Sequence, residues 1–415
     1  MEQIEVAVVG AGAAGLAAAA CLRAAGVGVL VLEARPRLGG RAHTDRSRPD
    51  APFDRGAAYI HAADQGNPWL ALARGLGMAV VRDPRRRLIL DGGRRLDPAP
   101  YQAAVAQAWR RLATAPAGGA AGTVLPAGGP AHIYARTLIG PWLSGVEADR
   151  LDAADFLAAR DGADWLVPEG YGSLVARTGA DLPVRLGCPV RALRTRADRV
   201  ELDTAAGRLR AGQVVLTVPL GVLAAGAITL DPPPPARVQD ALDALPMGNL
   251  IKLRARLAGD PFGCGETVYV AAPPRDEGAI LWLVRPFGRD EMVGFAGGDR
   301  AAALAALAPA ALRAAIGDEL AALLGAAARG RLGEVELADW QADPWARGSY
   351  AFARPGAAAA RAALRRPWSE RVRYAGEAAA ADGWHGTVAG AHLSGRAAAA
   401  QLLAARSCRG NVDDR

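Results

Sequence analysis

Two reactive side chains, cysteine and lysine, are scarce in this sequence. The cysteines are scattered, without the paired spacing of a disulfide framework or of a zinc site, so we expect neither a structural disulfide nor a metal. They stand at Cys21, Cys188, Cys264 and Cys408. Lysine is rarer still. Lys252 is the one lysine of the sequence, and arginine supplies every other permanently cationic side chain. A lone lysine in an arginine-rich chain indicates a position that needs a compact, titratable ammonium.

Long apolar runs are missing as well. The most apolar stretches, 214–225 and the alanine-rich segment from Ala301, are interrupted by Pro219, Pro309 and Arg313. Neither is long enough to span a bilayer. A strand expected at 4–9 begins too near the start of the chain to leave room for a secretory signal. We therefore expect a cytoplasmic protein without a membrane partner.

The net charge of +7 does not by itself indicate a nucleic-acid partner. The densest basic cluster lies at 82–95, where residues 87–96 predict a β-hairpin around the turn Asp91-Gly92-Gly93. The arginines of such a hairpin lie on its solvent side. We expect no nucleic-acid partner, and the sequence does not indicate the oligomeric state.

A chain of 415 residues, of which 51% are hydrophobic, is long enough for two domains. It opens as strand, glycine turn, alanine-rich helix and second strand, a βαβ unit that ends near Glu33. Helical periodicity dominates 68–78 and 100–165, and a β-rich block follows at 184–218. A glycine turn near Gly376 leads into a last helix from about Gly386 to Ala405.

The glycine turn has the pattern of a dinucleotide-binding loop. Gly10, Gly12 and Gly15 follow an apolar strand and open a helix, which lets the backbone approach a pyrophosphate at the helix N-terminus. Glu33, about 20 residues further on at the end of the second strand, is the expected acceptor for ribose hydroxyls. The sequence therefore predicts a bound dinucleotide.

Later segments narrow the prediction through a family resemblance. The run 32–41, with Gly39-Gly40-Arg41, resembles the second signature of glutathione-reductase-like FAD enzymes. Four further blocks resemble the flavin amine oxidase family, which includes monoamine oxidases, polyamine oxidases, L-amino-acid oxidases and flavin-type histone demethylases. The blocks are 53–69, 214–223 with 247–252, 340–350, and 374–377 with 386–395.

The resemblance implies an α/β fold with a glutathione-reductase-like FAD-binding Rossmann domain, interleaved with a substrate domain of mixed sheet plus helices. The FAD-binding domain would take residues 1–69, 168–250 and 345–408, the substrate domain 70–167 and 251–344, and a tail 409–415. The resemblance is loose at about 70–165 and 256–335, where we expect substrate choice to be encoded.

The resemblance also implies the cofactor, FAD, and the residues that bind it. We expect noncovalent binding, because Ser349 stands where covalent members of the family carry a flavin-linking cysteine. Glu377 would accept from the ribityl or pyrophosphate end, and Val190 would contact the adenine. The predicted cofactor-binding residues are Gly10, Gly12, Ala14, Gly15, Glu33, Ala34, Arg35, Gly39, Gly40, Arg41, Gly56, Ala57, Val190, Gly376, Glu377, Thr387 and Val388.

Four residues are candidates for catalysis. Lys252 lies in the motif Gly-Asn-Leu-Ile-Lys, in which the family's lysine holds a water beside the flavin. Tyr350 aligns with one wall of the family's aromatic cage. Thr387 stands at the other wall, where monoamine oxidases have an aromatic residue and some polyamine oxidases and histone demethylases have threonine. His61 aligns with a histidine near the substrate of animal-type polyamine oxidases.

These residues predict an FAD-dependent amine oxidase with a polyamine or a primary amine as small-molecule substrate, O2 as acceptor, and H2O2 and an imine, then an aldehyde, as products. The alternatives are an L-amino-acid oxidase and a partner-binding flavoprotein without catalysis. A cationic substrate would need a local acidic guide, for which Asp64, Glu147 and Asp382 are candidates. Trp165, Trp282 and Trp384 are candidates for the pocket wall.

Overall fold

The computed structural model describes residues 2–413, with side chains for 2–406. Cys21, Cys188 and Cys264 are free thiols, and the side chain of Cys408 lies outside the described part. No helix within the described residues is long and apolar enough to cross a membrane.

The strands, in chain order, are β1 Glu2–Val9, β2 Val29–Leu32, β3 Thr44–Asp45, β4 Phe53–Asp54, β5 Tyr59–Ile60, β6 Val81–Arg82, β7 Arg87–Asp91, β8 Arg94–Leu96, β9 Trp165–Leu166, β10 Val184–Arg185, β11 Val190–Thr195, β12 Val200–Thr204, β13 Gly207–Leu216, β14 Thr229–Asp231, β15 Leu250–Leu257, β16 Val268–Ala271, β17 Leu281–Val284, β18 Glu291–Gly297, β19 Leu332–Ala338 and β20 Val372–Tyr374.

The α-helices are α1 Ala13–Ala24, α2 Pro68–Gly75, α3 Ala99–Leu112, α4 Ala121–Val124, α5 Pro130–Thr137, α6 Ala153–Ala158, α7 Tyr171–Arg177, α8 Leu220–Ala224, α9 Ala236–Ala244, α10 Gly298–Ala305, α11 Pro309–Leu324, α12 Ala360–Arg365 and α13 Val388–Asp413. The last helix thus runs beyond its predicted end near Ala405 and into the predicted tail.

The first sheet has the order β10-β2-β1-β13-β12-β11-β14, with β20 also paired to β13. Its central strands β2, β1 and β13 are parallel, and the apolar residues at their carboxyl ends are buried on both faces of the sheet. Along β1, Val6 and Val8 pack into the core beneath α1 and α13, whereas Ala7 and Val9 pack into the core on the other face. This arrangement leaves the glycine turn at the carboxyl edge of the sheet.

The second sheet has the order β19-β15-β18-β17-β16-β7-β8. It contains the predicted hairpin, since β7 and β8 pair around Gly92 and Gly93. Alternate residues of β15, among them Ile251 and Leu253, pack into a core shared with α11. The strand period of two therefore turns Lys252 and Arg254 to the opposite face, away from that helix.

A buried ion pair fastens the helical segment 99–158 to the C-terminal part of the chain. Asp155 on α6 receives two hydrogen bonds from the Arg361 guanidinium on α12, at 2.7 and 2.8 Å. Both residues are about 95% buried. Arg361 also donates to the carbonyl of Ala351, next to Tyr350, so the pair supports the backbone that carries a predicted catalytic side chain.

Replacing Arg361 by methionine should destabilise the protein by about 3–5 kcal/mol, because it leaves the Asp155 carboxylate buried without its cation. Urea unfolding followed by circular dichroism measures this change. The double variant Asp155→Leu/Arg361→Met should recover most of the loss, since it removes both charges together. Equal stability of Arg361→Met and the unchanged protein would contradict the assignment.

Candidate active site

A cavity of about 630 Å³ lies where the carboxyl edge of the first sheet meets the second sheet. The glycine turn after β1 and the end of β2 line one part of it, and Lys252 and Phe295 of the second sheet line another. Its volume is in the range typical of cofactor and ligand sites.

The glycine turn forms the part of the cavity wall where helix α1 begins. Gly10 has φ +108°, and a Cβ there would lie 2.6 Å from the Thr217 hydroxyl. Gly12 is the N-cap of α1 and supplies no side-chain cap, so amides of the first turn remain available for an anion. A Cβ on Gly15 would lie 1.9 Å from the Gly10 carbonyl oxygen. Gly15 therefore lets strand and helix pack closely and does not itself line the cavity.

Glu33 lies buried at the carboxyl end of β2 and lines the cavity. Its carboxylate accepts the N–H of Ala11 at 2.7 Å and that of Arg35 at 2.8 Å. These bonds hold the carboxylate beside the glycine turn and leave further acceptor positions on its oxygens.

The pair Gly39-Gly40 lies close to the glycine turn. The Gly39 N–H donates to the Ala11 carbonyl at 2.9 Å, and a Cβ on Gly40 would lie 3.2 Å from the Gly12 Cα. Arg41 follows and donates to the Ser349 carbonyl and to Glu377 Oε1, at 2.8 and 3.0 Å. Two predicted cofactor-binding residues, Arg41 of the second signature and Glu377 of the last block, are therefore linked directly.

Glu377 is the residue whose geometry best indicates where a ligand would bind. Its Oε1 accepts from Arg41 and from the Ala351 N–H. Its Oε2 is buried and has no hydrogen-bond partner among the described residues. A buried acceptor without a donor is costly, and a hydroxyl of a bound dinucleotide would supply that donor.

With the exception of Gly15, every predicted cofactor-binding residue lines this cavity. The combination of helix amides, the Glu33 carboxylate and the unsatisfied Glu377 oxygen fits FAD. Their individual contacts with the cofactor stay predictions.

Lys252 projects into the cavity from β15 and is only 6% exposed. Its Nζ donates to the backbone carbonyl of Asp54 at 2.9 Å and lies 5.4 Å from the centre of the Phe295 ring. Burial lowers the pKa of the Lys252 ammonium to about 8, against the opposing attraction of the Asp54 charge. An amine that titrates near neutral pH can hold or release a proton inside the cavity.

Tyr350 and Thr387 both line the cavity, but only the tyrosine presents a ring there. The Tyr350 hydroxyl donates to the Leu143 carbonyl at 3.0 Å, which fixes the ring. The Thr387 hydroxyl donates to the Trp384 carbonyl and accepts the Gly390 N–H. This hydroxyl caps the first turn of α13, so both of its hydrogen bonds are made with the backbone around the start of the helix.

His61 lies at a polar part of the cavity wall and is about half exposed. Its Nδ1 is 3.2 Å from Asp164 Oδ1, and its ring stacks on Tyr59. Burial opposes ionisation of Asp164, but the hydrogen bond and charge of His61, together with Arg85, hold the pKa of this carboxyl below its usual value. The structure thus gives His61 an acidic partner.

A chain of polar groups that was not predicted lies beside His61. The hydroxyls of Tyr59 and Tyr269 are 3.0 Å apart, and Tyr269 donates to Asp83 Oδ2 at 2.9 Å. Asp83 is 8% exposed and lines the cavity. No local pattern indicated this cluster, because its members come from two separate strands and a loop.

The predicted acidic guides were wrong, since none of them lines the cavity. Asp64 accepts the Ala163 N–H, and Glu147 accepts the Asp299 N–H and pairs with Arg150. Asp382 is likewise absent from the wall. Apart from Glu33 and Glu377, the carboxylates that do line it are Asp83, Asp155, Asp161 and Asp164.

Of the three predicted wall tryptophans, Trp384 lines the cavity. Trp282 is fully buried in the core of the second sheet, and Trp165 packs against the core of the first. Trp142 and Trp340, which were not predicted, are part of the wall.

The chain is similar in sequence and in fold to known flavin-containing amine oxidoreductases. The profile of the family described as flavin containing amine oxidoreductase matches residues 13–126 and 137–403. Probable polyamine oxidase 4 of Arabidopsis thaliana is 45% identical over 80 residues, which are 19% of this chain and 16% of that protein. Lysine-specific histone demethylase 1B of Mus musculus is 29% identical over 232 residues, 49% of this chain and 28% of that protein. The alignments thus span less than a third of these curated relatives.

A solved structure of wild-type putrescine oxidase bound to putrescine has the same fold, with a TM-score of 0.77 over 97% of this chain and 99% of that one. The sequence identity is 23%. This likeness confirms the predicted fold class. The matched family contains flavin, which agrees with the prediction of FAD as the cofactor. The chain therefore belongs to the family of flavin-containing amine oxidoreductases.

Proposed function

We propose that this protein is an FAD-dependent amine oxidase that acts on a small diamine or polyamine and releases H2O2. FAD, when bound, supplies the two-electron acceptor for the carbon next to the amine nitrogen and passes the electrons to O2. Water then converts the imine to an aldehyde and releases the nitrogen as ammonia or an amine.

The observation that carries the proposal is the placement of Lys252. The chain's one lysine is buried in the wall of the cavity whose other residues fit FAD, and burial lowers its pKa to about 8. A cationic side chain with no carboxylate bonded to it is costly to bury. Its presence there favours a role in moving a proton at the reacting end of the cavity.

Aromatic side chains would orient the substrate at that end. Tyr350, Phe295 and Tyr59 line the same cavity as Lys252, and the ring centres of Tyr59 and Phe295 are 6.2 Å apart. An apolar, aromatic wall favours the neutral form of the amine that reacts, because it desolvates the ammonium.

The carboxylate of Asp83 in the cavity wall supports a substrate with a second nitrogen. Asp83 is buried and accepts two neutral donors, the Tyr269 hydroxyl and the backbone N–H of Arg85. The Arg85 guanidinium is paired with Asp161 and Asp164. An ammonium at the far end of a diamine would complement the Asp83 carboxylate. The net positive charge of the chain makes such a local acid necessary for a cationic substrate.

We also propose that FAD binding is noncovalent. The Ser349 hydroxyl donates to the Gly248 carbonyl and accepts the Leu250 N–H. The backbone therefore holds this side chain, which has a hydroxyl in place of a nucleophilic thiol.

An L-amino-acid oxidase is a second candidate, because Arg85 and Arg87 line the cavity and a guanidinium binds a substrate carboxylate well.

A panel of substrates tests the proposal through peroxide release. Diamines and polyamines should be oxidised in preference to monoamines of equal length. Asp83→Asn should raise KM for a diamine by about tenfold or more, since it removes the charge that faces the second ammonium. It should leave the KM for a monoamine nearly unchanged.

The matched control is Asp161→Asn, because Asp161 also lines the cavity but its side chain is 79% exposed. Its charge is screened by solvent and should matter little. Preferential oxidation of α-amino acids would favour the second candidate. Equal loss of diamine and monoamine oxidation in Asp83→Asn would contradict the proposed subsite.

A further inference from the structure

Residues 51–55 form a strip of backbone that is fastened to β15 by two cationic side chains. Lys252 Nζ donates to the Asp54 carbonyl at 2.9 Å, and Arg254 Nη2 donates to the Ala51 carbonyl at 2.8 Å. Lys252 and Arg254 are two residues apart on one strand and so lie on the same face. The position of the Lys252 ammonium therefore depends on where Asp54 lies.

The side chain of Asp54 is fixed by three donors. Its Oδ1 accepts the Thr44 hydroxyl at 2.6 Å and the Gly172 N–H at 3.2 Å, and its Oδ2 accepts the Tyr171 N–H at 2.9 Å. The Thr44 oxygen in turn accepts the Ser173 N–H, so its hydrogen is directed to Asp54. Groups that only donate stabilise the ionised carboxylate.

Other charged groups around Lys252 are bound elsewhere. Arg254 pairs with Glu291 at 2.8 Å, and Arg55 donates to the Leu337 carbonyl and pairs with Asp45. Arg289 donates to the carbonyls of Pro52 and Pro168. The residues opposite Lys252 on the neighbouring strands β18 and β19 are Phe295 and Ala338, which carry no charge.

Burial acts on both members of the pair. It lowers the pKa of Lys252 to about 8, and the Asp54 charge is the one group that opposes this effect. Burial also raises the pKa of Asp54, while Lys252 and the three donors counteract the rise. Each charge therefore stabilises the other.

We propose that Asp54 is a positioning residue for Lys252: its backbone carbonyl fixes the lysine ammonium in the cavity, and its carboxylate, held by three donors, stabilises the charge of that ammonium. The catalytic role of Lys252 belongs to the proposed function, on which this inference rests. Without the Asp54 charge, the lysine would lose its proton at a lower pH and become neutral where it is now mostly charged.

The single lysine allows a direct test by nuclear magnetic resonance. Protein grown with lysine labelled with ¹³C at Cε gives one lysine signal, which needs no assignment, and the chemical shift of that signal reports protonation as pH changes. In the FAD-loaded protein the midpoint should lie near pH 8. Asp54→Asn should lower this midpoint by about one pH unit or more, because it removes the buried charge that opposes the effect of burial on Lys252.

The matched control is Asp45→Asn, since Asp45 lies on the paired strand β3 next to Thr44 but is bonded to Arg55. Its midpoint should equal that of the unchanged protein. If Asp54→Asn does not fold, Thr44→Val replaces it, and loss of the hydroxyl donor should lower the midpoint by a smaller amount. A midpoint that does not move in Asp54→Asn, or in Thr44→Val in that case, overturns the proposal.

The titration needs no substrate and no turnover, so its outcome is separate from that of the proposed function. A lowered midpoint in a protein that oxidises no amine would support the coupling of Asp54 to Lys252 and reject amine oxidation. Amine oxidation together with an unmoved midpoint would support the proposed function and reject the coupling of Asp54 to Lys252.

Discussion

Replacing Lys252 by methionine should leave FAD bound but lower kcat with a diamine by about a hundredfold or more, the usual scale for loss of a positioned proton-transfer group. Methionine has a similar length and no charge, so it fills the space between Phe295 and the Asp54 carbonyl and removes the ammonium. Rapid-mixing measurements of flavin reduction by amine and of reoxidation by O2 should show the reoxidation step slowed most.

The control for this variant is Arg256→Met, on the same strand but exposed to solvent. It should retain normal turnover, because its side chain does not line the cavity. Normal turnover and reoxidation in Lys252→Met would show that the buried lysine has only a structural role.

Replacing Gly15 by valine should abolish FAD binding. The first atom of the new side chain would lie 1.9 Å from the Gly10 carbonyl oxygen and 3.0 Å from the Thr217 hydroxyl, so the turn and α1 must separate. The helix amides would then lose their position against the pyrophosphate. Flavin absorbance per mole of purified, folded protein measures the effect.

Gly75→Val is the matched control, because Gly75 ends α2 and a Cβ there meets no atom within 4 Å. It should purify with a full complement of flavin. A full complement in Gly15→Val as well would mean that the turn at Gly10 does not receive the cofactor.

The sequence predicted the parts of the site that depend on local structure. A glycine turn between an apolar strand and a helix forms one geometry, so Gly10, Gly12 and Glu33 lie beside the cavity as expected. The hairpin at 87–96 follows equally from its turn residues. Lys252 was recognisable because arginine occupies every other permanently cationic position.

The polar cluster of the cavity wall could not be predicted from local sequence pattern. Tyr59, Asp83 and Tyr269 meet only after distant strands have paired, since β16, which carries Tyr269, lies beside β7. The candidate acids failed for a related reason. Asp64 and Glu147 satisfy backbone N–H groups of remote segments, and such contacts leave no trace in the spacing of residues.

The same reasoning applies to Thr387. Family resemblance placed this residue at the cage wall, and it does line the cavity. Its hydroxyl, however, caps α13 through the Gly390 N–H, a role that follows from threonine at a helix start. We therefore expect its contribution to the site to come from its position and size.

The most direct test of amine oxidation is an anaerobic titration of the FAD-loaded protein with a diamine. We expect one equivalent of diamine to bleach the flavin, and air to restore the colour with release of an equal amount of H2O2. If neither diamines, polyamines nor monoamines bleach the flavin, the protein is not an amine oxidase.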